Sequence, residues 1–241
     1  MFINTARDLT VIKKGSEYSF IACDSLGGIG NKSHDSLKMS PRISGKYTIR
    51  VCLNEVYSVG AKPICVISTV SNEWDNTGKE VFEGIKEELN LYSCDIPAIN
   101  GSTEENFKTE MTAFGITVIS ETENPVWRGS KENYGVYLIG EPFVGEEVIK
   151  NEYRNLKPSI IQDIMKYHRV GDFLPCGSKG INKELEVLCG ETSLNFEKVY
   201  TDRKVNFTKS AGPSTCGIFT TDDESIDKLF PDIMLIGYLR K

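Results

Sequence analysis

The first half of the chain alternates between helical and extended hydrophobic patterns, and this alternation limits the fold more than any other feature. Five apolar residues at helical spacing predict a helix over 45–60 that ends at Gly60: Ile49, Cys52, Leu53, Val56 and Tyr57. The β-branched stretch 63–70 that follows predicts a buried strand. A second amphipathic helix is predicted over 78–92.

Shorter extended stretches complete this half, with strands predicted at 18–23, 96–100 and 110–120. The order strand, helix, strand, helix, strand, strand predicts a mixed sheet with helices on one face. The second half is predicted to alternate as well, with helices at 145–154, 158–168, 180–191 and 223–230 and strands at 136–142, 214–221 and 233–239. The fold class is therefore α/β (α+β).

The polar, turn-rich segment 121–135 separates the two halves. We place the domain boundary within it. The prediction is an N-terminal domain over 1–125 and a smaller α/β domain over 126–241.

Composition excludes several classes of protein. The formal charge is −6, which argues against nucleic acid as the main partner, although an average leaves room for a local basic groove. No apolar run is long enough to span a bilayer, and the N-terminus has no apolar leader, so neither a membrane partner nor secretion is expected. Seven scattered cysteines, without C-x-x-C and with only two histidines, disfavour a zinc site and favour the cytoplasm.

The stretch IACDSLGGIGNKSHD, 21–35, looks like a phosphate-binding loop. A P-loop requires G-x-x-x-x-G-K-[ST], and Lys32-Ser33 would supply its last two positions. Asn31 and Leu26 occupy the two positions where glycine is required. The P-loop interpretation therefore fails, and Lys32 and Ser33 are expected to be bystanders or part of a mobile flap.

A Rossmann fingerprint fails too, since only Gly28 and Gly30 match and 31–43 is predicted as loop. What remains is Asp24 at a predicted strand end, followed by a glycine loop. A carboxylate there suits Mg²⁺, which takes oxygen ligands. The alternative is an aspartate that caps its own turn.

Two further stretches carry oxygen-bearing side chains. Five follow one another after the predicted strand 96–100: Ser102, Thr103, Glu104, Glu105 and Asn106. They are suited to binding a metal or a ligand, or they form a solvated polar hairpin loop. Asn54 and Glu55 lie off the apolar stripe of the helix 45–60, so they face either a ligand or water, and periodicity alone favours water.

Taken in order, these stretches resemble the aminoimidazole ribonucleotide synthetases and their relatives. VCLNEVYSVGAKP (51–63) is similar to the helix that this family writes C-V-N-D-x-x-x-x-G-A-x-P. NGSTEENFKTEMTAFGITVIS (100–120) takes the place of its Gly-Gly-(Glu/Asp)-Thr loop and the following strand, and CDSLGGIG (23–30) that of its strand-end aspartate. LPCGSKGI (174–181) and AGPSTCGIF (211–219) resemble the second domain of its shorter members.

The resemblance implies a two-domain α/β chain whose first domains pair into a homodimer, with ATP and Mg²⁺ bound near that interface. The superfamily includes selenophosphate synthetases, thiamine monophosphate kinase and a hydrogenase maturation factor. Its shared chemistry implies an ATP-dependent phosphotransferase, a kinase acting on a small molecule.

The resemblance also assigns residues. It implies catalytic roles for Asp24, Glu104 and Glu105, and Mg²⁺ ligation by Asp24, Glu55 and Glu104. It implies nucleotide-binding roles for a larger set: Gly27, Gly28, Gly30, Asn54, Ser102, Thr103 and Asn106. Two departures affect the metal ligands, because Glu55 replaces the usual aspartate and Ser102 replaces the acidic residue before Thr103.

A further departure concerns the acceptor, since the run N-G-S-T-E-E-N-F replaces the G-G-E-T-A-E-M-P of the purine enzyme. The resemblance then implies the short members that phosphorylate the 5′-hydroxyl of α-ribazole in salvage of the lower ligand of cobamides (vitamin B12). The alternatives are a kinase for thiamine monophosphate or an aminoimidazole riboside, and a nucleotide-binding subunit without turnover.

Overall fold

The computed structural model describes residues 2–92, 98–201 and 203–241. The chain divides into two compact units. The N-terminal unit comprises the chain up to Val56 and Ala61–Glu123, and the C-terminal unit comprises Tyr57–Gly60 and Asn124–Lys241. No helix in the described ranges is long and apolar enough to cross a bilayer.

The N-terminal unit contains a six-stranded sheet and one two-stranded pairing. Its strands are β1 Phe2–Ala6, β2 Leu9–Lys14, β3 Glu17–Gly27, β4 Ile29–Gly30, β5 Leu37–Lys38, β6 Lys62–Val70, β7 Ala98–Thr103 and β8 Ala113–Thr122. The order in the large sheet is β1-β2-β3-β8-β6-β7. Only β6 and β7 pair in parallel there, so the sheet is mixed, as predicted.

Two helices accompany this sheet: α1 Pro41–Ser58 and α2 Lys79–Leu91, the latter preceded by a π-turn at Trp74–Gly78. Helix α1 starts four residues before the predicted position. The reason is local, because the Ser40 hydroxyl accepts the backbone N–H of Arg42 and Pro41 occupies the first helical position. Gly45 falls inside the helix, where a side chain would overlap the carbonyl oxygen of Val81 in α2.

The large sheet buries one face and leaves the other open. In β8, burial alternates strictly, with Phe114, Ile116, Val118 and Ser120 buried. Helix α1 covers this face, since the Cys52 thiol lies 3.5 Å from the carbonyl oxygen of Ile116. The opposite face carries exposed apolar side chains, Ile3 at 58% and Ile67 at 37% exposure.

The C-terminal unit contains a five-stranded antiparallel sheet of order β10-β12-β9-β13-β11. Its strands are β9 Gly135–Gly140, β10 Val170–Pro175, β11 Asn195–Lys198, β12 Cys216–Thr221 and β13 Ile233–Arg240. Its helices are α3 Glu146–Lys150, α4 Pro158–Met165 and α5 Ile181–Thr192. Single 3₁₀ turns occur at Glu152–Arg154 and Ile226–Lys228.

The α/β class is confirmed, while several predicted elements need correction. Six strands had not been predicted, β1, β2, β4, β5, β10 and β11, and β5 lies in the stretch 31–43 predicted as loop. The helix predicted over 223–230 is only a 3₁₀ turn, and the one over 145–154 breaks after Lys150. Residues 96 and 97 of the strand predicted at 96–100 lie outside the described ranges, and β7 is described from Ala98 to Thr103.

Candidate functional site

Asp24 lies inside β3 rather than after it, because β3 and β8 remain paired as far as Gly27 and Ala113. The predicted strand end at Cys23 is therefore wrong. Asp24 continues the buried row of Phe20 and Ala22 along β3, two residues apart at each step. Burial raises the pKa of Asp24 to about 6. A hydrogen bond from the backbone N–H of Ser25 lowers the pKa, and the negative charge of Asp8 raises it. A nearby cation would stabilise the charged form of a carboxylate that is desolvated in this way.

Helix α1 brings Glu55 toward the same region. Burial raises the pKa of the Cys52 thiol, and the negative charges of Asp24 and Glu55 raise it further. Both carboxylates therefore lie near one thiol on the helix-covered side of the sheet. Glu55 is half-buried, whereas Asn54 is fully buried, so the expectation that Asn54 faces water is wrong.

The glycine loop that follows β3, residues 28–35, is held against Thr112, the residue before β8. Gly28 adopts a positive φ of 73°, and its N–H donates to the carbonyl oxygen of Thr112 at 2.8 Å. Gly30 lies in β4, where a side chain would overlap the hydroxyl of Thr112. Gly27 is the last residue of β3 rather than part of the loop.

Asp35 fastens the far end of this loop. Its carboxylate accepts the backbone N–H of Thr112 at 2.8 Å, the Thr112 hydroxyl at 2.7 Å and the backbone N–H of Lys32 at 2.8 Å. Burial would raise the pKa of Asp35, but these hydrogen bonds outweigh it and hold the pKa below its usual value.

Lys32 is anchored rather than mobile, which corrects the sequence-based expectation. Its ammonium donates to Oε2 of Glu73 at 2.7 Å and to the carbonyl oxygen of Thr109 at 3.1 Å. Only 15% of the Lys32 side chain is exposed. Ser33 donates its hydroxyl to the carbonyl oxygen of Glu110 at 3.4 Å, so it is also held.

The first two residues of the run 102–106 lie on opposite faces of the large sheet. Ser102 pairs with Thr69, on the open face, whereas Thr103 pairs with Val70 and shares the helix-covered face with Asp24. The structure therefore places Ser102 across the sheet from Asp24. Both residues belong to β7, although a loop had been predicted there.

The two glutamates that follow have local partners. Glu105 accepts the Thr103 hydroxyl at 2.6 Å and the backbone N–H of Trp74 at 2.9 Å. Glu104 accepts the backbone N–H of Asn106 at 2.7 Å. Glu105 therefore stabilises its own loop, and Glu104 is the less constrained of the two carboxylates.

The predicted metal ligands are only partly brought together. Among the described residues, no three His, Cys, Asp or Glu side chains cluster closely enough to hold an ion. Asp24 and Glu55 share one region, while Glu104 does not complete a triad with them. Two carboxylates still fit Mg²⁺, which is commonly bound by one or two carboxylates together with waters and substrate phosphates.

Sequence reasoning missed two residues that order this end of the sheet, Asn72 and Glu73. Asn72 is fully buried and donates to the Thr109 hydroxyl at 2.7 Å and to the carbonyl oxygen of Met111 at 2.8 Å. The main-chain carbonyl oxygen of Asn72 accepts the backbone N–H of Glu104 at 3.1 Å. Both residues lie within three positions of the end of β6, so the criterion that selected Asp24, a polar residue beside a predicted strand end, would have found them.

Comparison with known proteins relates the chain to one family. Residues 8–121 match the family described as AIR synthase related protein, N-terminal domain. A thiamine-monophosphate kinase of Methanocaldococcus jannaschii is 26% identical over 130 residues, which are 52% of this chain. The alignment covers only 38% of that kinase.

Solved structures extend the similarity to both units. AaThiL complexed with AMPPCP and TMP is 16% identical, with a TM-score of 0.71 over 98% of this chain and 85% of that one. The hydrogenase maturation protein HypE in its complex with HypF is 12% identical, with a TM-score of 0.68 over 97% of this chain and 87% of that one. At these identities the likeness concerns the fold.

Proposed function

We propose that this chain, whose residues 8–121 match the AIR synthase-related N-terminal domain, is an ATP-dependent kinase of a small molecule. The observation that carries the proposal is the placement of Asp24 and Glu55 near one thiol, with the pKa of Asp24 raised to about 6. Two acidic groups beside a fixed glycine loop suit the polyphosphate and cation of a nucleotide substrate.

Asp24 and Glu55 would hold Mg²⁺, and the bound ion would neutralise charge on the transferred phosphoryl group. The backbone at Gly28 can approach the phosphates closely, whereas the missing side chain of Gly30 lets the loop lie against the Thr112 hydroxyl. Gly27, at the end of β3, allows the same approach. Phosphoryl transfer depends mainly on alignment and charge neutralisation, so a loop held by Asp35 and Lys32 is suited to it.

The remaining predicted residues take positioning roles in this proposal. Thr103 and Asn106 orient the nucleotide or the acceptor, and the buried Asn54 fixes the part of α1 that carries Glu55.

Glu104 accepts the proton of the attacking hydroxyl, a role that suits it better than the doubly hydrogen-bonded Glu105. Ser102 lies on the open face, so it would contact a ligand only from that side.

For the acceptor we propose the 5′-hydroxyl of α-ribazole, on the resemblance of the glycine loop and of 100–106 to the short members of the superfamily. Thiamine monophosphate is the second candidate, favoured by the 26% identical relative. Both acceptors combine a heteroaromatic ring with a phosphorylatable oxygen, so one assay compares them.

We also propose that a second copy of the chain covers the open face of the large sheet. The exposed Ile3 and Ile67 support this, because an uncovered apolar sheet face is commonly an interface. A cytoplasmic location is proposed as well, supported by the six described cysteines, all of which are free thiols.

The test incubates the full chain with ATP, Mg²⁺ and one acceptor at a time: α-ribazole, thiamine monophosphate or an aminoimidazole riboside. Mass spectrometry of the product and release of ADP are measured together. Phosphorylation of α-ribazole, abolished by EDTA and by Asp24→Asn, supports the proposal. If only thiamine monophosphate is phosphorylated, the proposal of α-ribazole as the acceptor is overturned. If ATP binds but no acceptor is phosphorylated, the proposed kinase activity is overturned.

A further inference from the structure

The C-terminal unit contains a cavity of about 540 Å³ that is lined by none of the predicted site residues. Half-buried apolar side chains form its floor, and they pack against the core of this unit: Phe196, Val205 and Phe207. Lys198 and Lys204 stand at its rim, together with the polar side chain of Asn182. Of the eight described lining residues three are apolar and five are polar or charged, and 540 Å³ falls in the usual size range of small-molecule sites.

The rim is positively charged in a chain of net charge −6. The segment 198–209 carries four basic residues and one acidic residue. Lys209, in the same segment, is paired with Glu147 at 2.7 Å. Lys198 and Lys204 form no ion pair with any carboxylate that the structure describes. Two ammonium groups at the mouth of one cavity, neither paired with a carboxylate among the described residues, favour an anionic occupant.

Lys198 is also held in place by an aromatic ring. Its Nζ lies 4.1 Å from the centroid of the Phe207 ring, within the range of a cation–π contact. The contact sets a positive charge directly above the floor of the cavity. A ligand with a planar ring and an anionic group would pack its ring against the phenylalanines and place its anion between the lysines.

We propose that this cavity binds a small phosphate ester of an aromatic or heteroaromatic compound. Lysine binds phosphate as a point charge, and two lysines match a dianion. All lining residues belong to the C-terminal unit, so the inference does not depend on the kinase site proposed in the N-terminal unit. The competing explanation is that both lysines only lay their aliphatic stems over the phenylalanines, and it predicts no saturable binding.

The test uses phenyl phosphate, which is the smallest probe with both features. The full chain, labelled with ¹⁵N, is titrated with phenyl phosphate, inorganic phosphate or phenol while amide shifts are recorded. Phenyl phosphate is expected to bind about tenfold more tightly than either of the others, with the largest shifts at 196–208 and Asn182. Equal affinity for phenyl phosphate and inorganic phosphate overturns the proposal, as do shifts that lie outside these residues.

Three variants and one control identify the groups involved. Lys198→Gln and Lys204→Gln are each expected to weaken phenyl phosphate binding about tenfold. Lys183→Gln, in α5 but outside the cavity lining, should leave it unchanged. Phe207→Leu keeps the floor apolar and should remove the preference for phenyl phosphate over inorganic phosphate. The proposal is overturned if both lysine variants bind phenyl phosphate as tightly as the control does.

Discussion

Lys32 Nζ lies 2.7 Å from Oε2 of Glu73, and this ion pair joins the glycine loop to the segment that follows β6. The same carboxylate accepts the backbone N–H of Thr109 at 2.9 Å and its hydroxyl at 2.7 Å. One acidic side chain, 25% exposed, thus connects three segments that are distant in sequence. These segments hold the proposed nucleotide loop and the run that carries Glu104.

Replacing Glu73 should loosen this junction. Glu73→Gln keeps the shape of the side chain and removes its charge, so we expect the free energy of unfolding to fall by about 1–2 kcal/mol at pH 7. The hydrogen bond from Lys32 is the main reason why the pKa of Glu73 lies below its usual value of 4.5. Further hydrogen bonds, including two from Thr109, lower it as well. The contribution is therefore complete above pH 4.5 and lost as the pH falls further. Urea denaturation at pH 7 and at pH 3 measures it.

The control is Glu110→Gln, because the Glu110 carboxylate pairs only across an exposed surface, with His34 at 3.2 Å. Its replacement should change stability by less than about 0.5 kcal/mol. Equal losses in both variants, or a Glu73→Gln effect that is as large at pH 3 as at pH 7, would contradict the junction.

Helix packing gives a second prediction, from two glycines that sit inside helices. A side chain at Gly84 in α2 would overlap the carbonyl oxygen of Arg42 in α1, whereas one at Gly190 in α5 would meet nothing within 4 Å. Gly190→Ala should therefore stabilise the protein by about 0.5–1 kcal/mol through helix propensity alone. Gly84→Ala should destabilise it by at least about 1–3 kcal/mol, the scale of overpacking. Thermal unfolding of both variants decides the matter, and stabilisation by Gly84→Ala would refute the close crossing of α1 and α2.

The long elements of the fold could be predicted because their hydrophobic periods are strong. Strand β6 and helix α2 lie within a residue of their predicted limits. Strands β1 and β2 were missed, although the buried Leu9 and Val11 lie on either side of Thr10 and Gly15-Ser16 forms the turn between β2 and β3. The end of β3 was misplaced for a different reason, since only its pairing with β8 carries it past Asp24.

The site was predictable in residue type rather than in arrangement. Asp24 was selected because it is a polar residue beside a predicted strand end. The face of the sheet on which Ser102 lies depends instead on the register of β7 against β6. Asn54 is buried even though it lies off the apolar stripe, because a helix covered on several sides has no solvent face at that position. Lys32 was dismissed because its motif failed, and its partner Glu73 is 41 residues away in sequence.

A third prediction concerns a buried ion pair between α1 and α2. Arg50 Nε lies 2.5 Å from Oε1 of Glu88, and the two side chains are 1% and 0% exposed. Glu88→Gln would remove the negative charge next to Arg50 Nε while the arginine stays buried, which should cost about 3–5 kcal/mol. The neighbouring Glu87→Gln is the matched control, because Glu87 pairs with Arg42 at the surface and its replacement should change stability far less. Chemical denaturation of both variants compares them, and equal effects would mean that the buried pair contributes no more than the exposed one.

The last prediction separates stability from activity at Asp24. In the unfolded chain Asp24 titrates near 3.8, and in the folded chain burial raises its pKa to about 6. The folded protein therefore loses stability as the pH rises from 3.8 to about 6, and the full penalty persists above that range. Asp24→Asn removes the ionisable group, so it should stabilise the metal-free protein by about 1–3 kcal/mol at pH 8 and by little at pH 4.

The same substitution should abolish phosphoryl transfer, because it removes a ligand proposed for Mg²⁺. Thermal unfolding in EDTA at pH 4 and pH 8, beside turnover measured with ATP and Mg²⁺, tests both parts. Asp8→Asn is the control, since Asp8 acts on Asp24 only through its charge and should leave turnover intact. Equal stabilisation at both pH values would contradict the raised pKa, and unchanged turnover in Asp24→Asn would remove Asp24 from the proposed site.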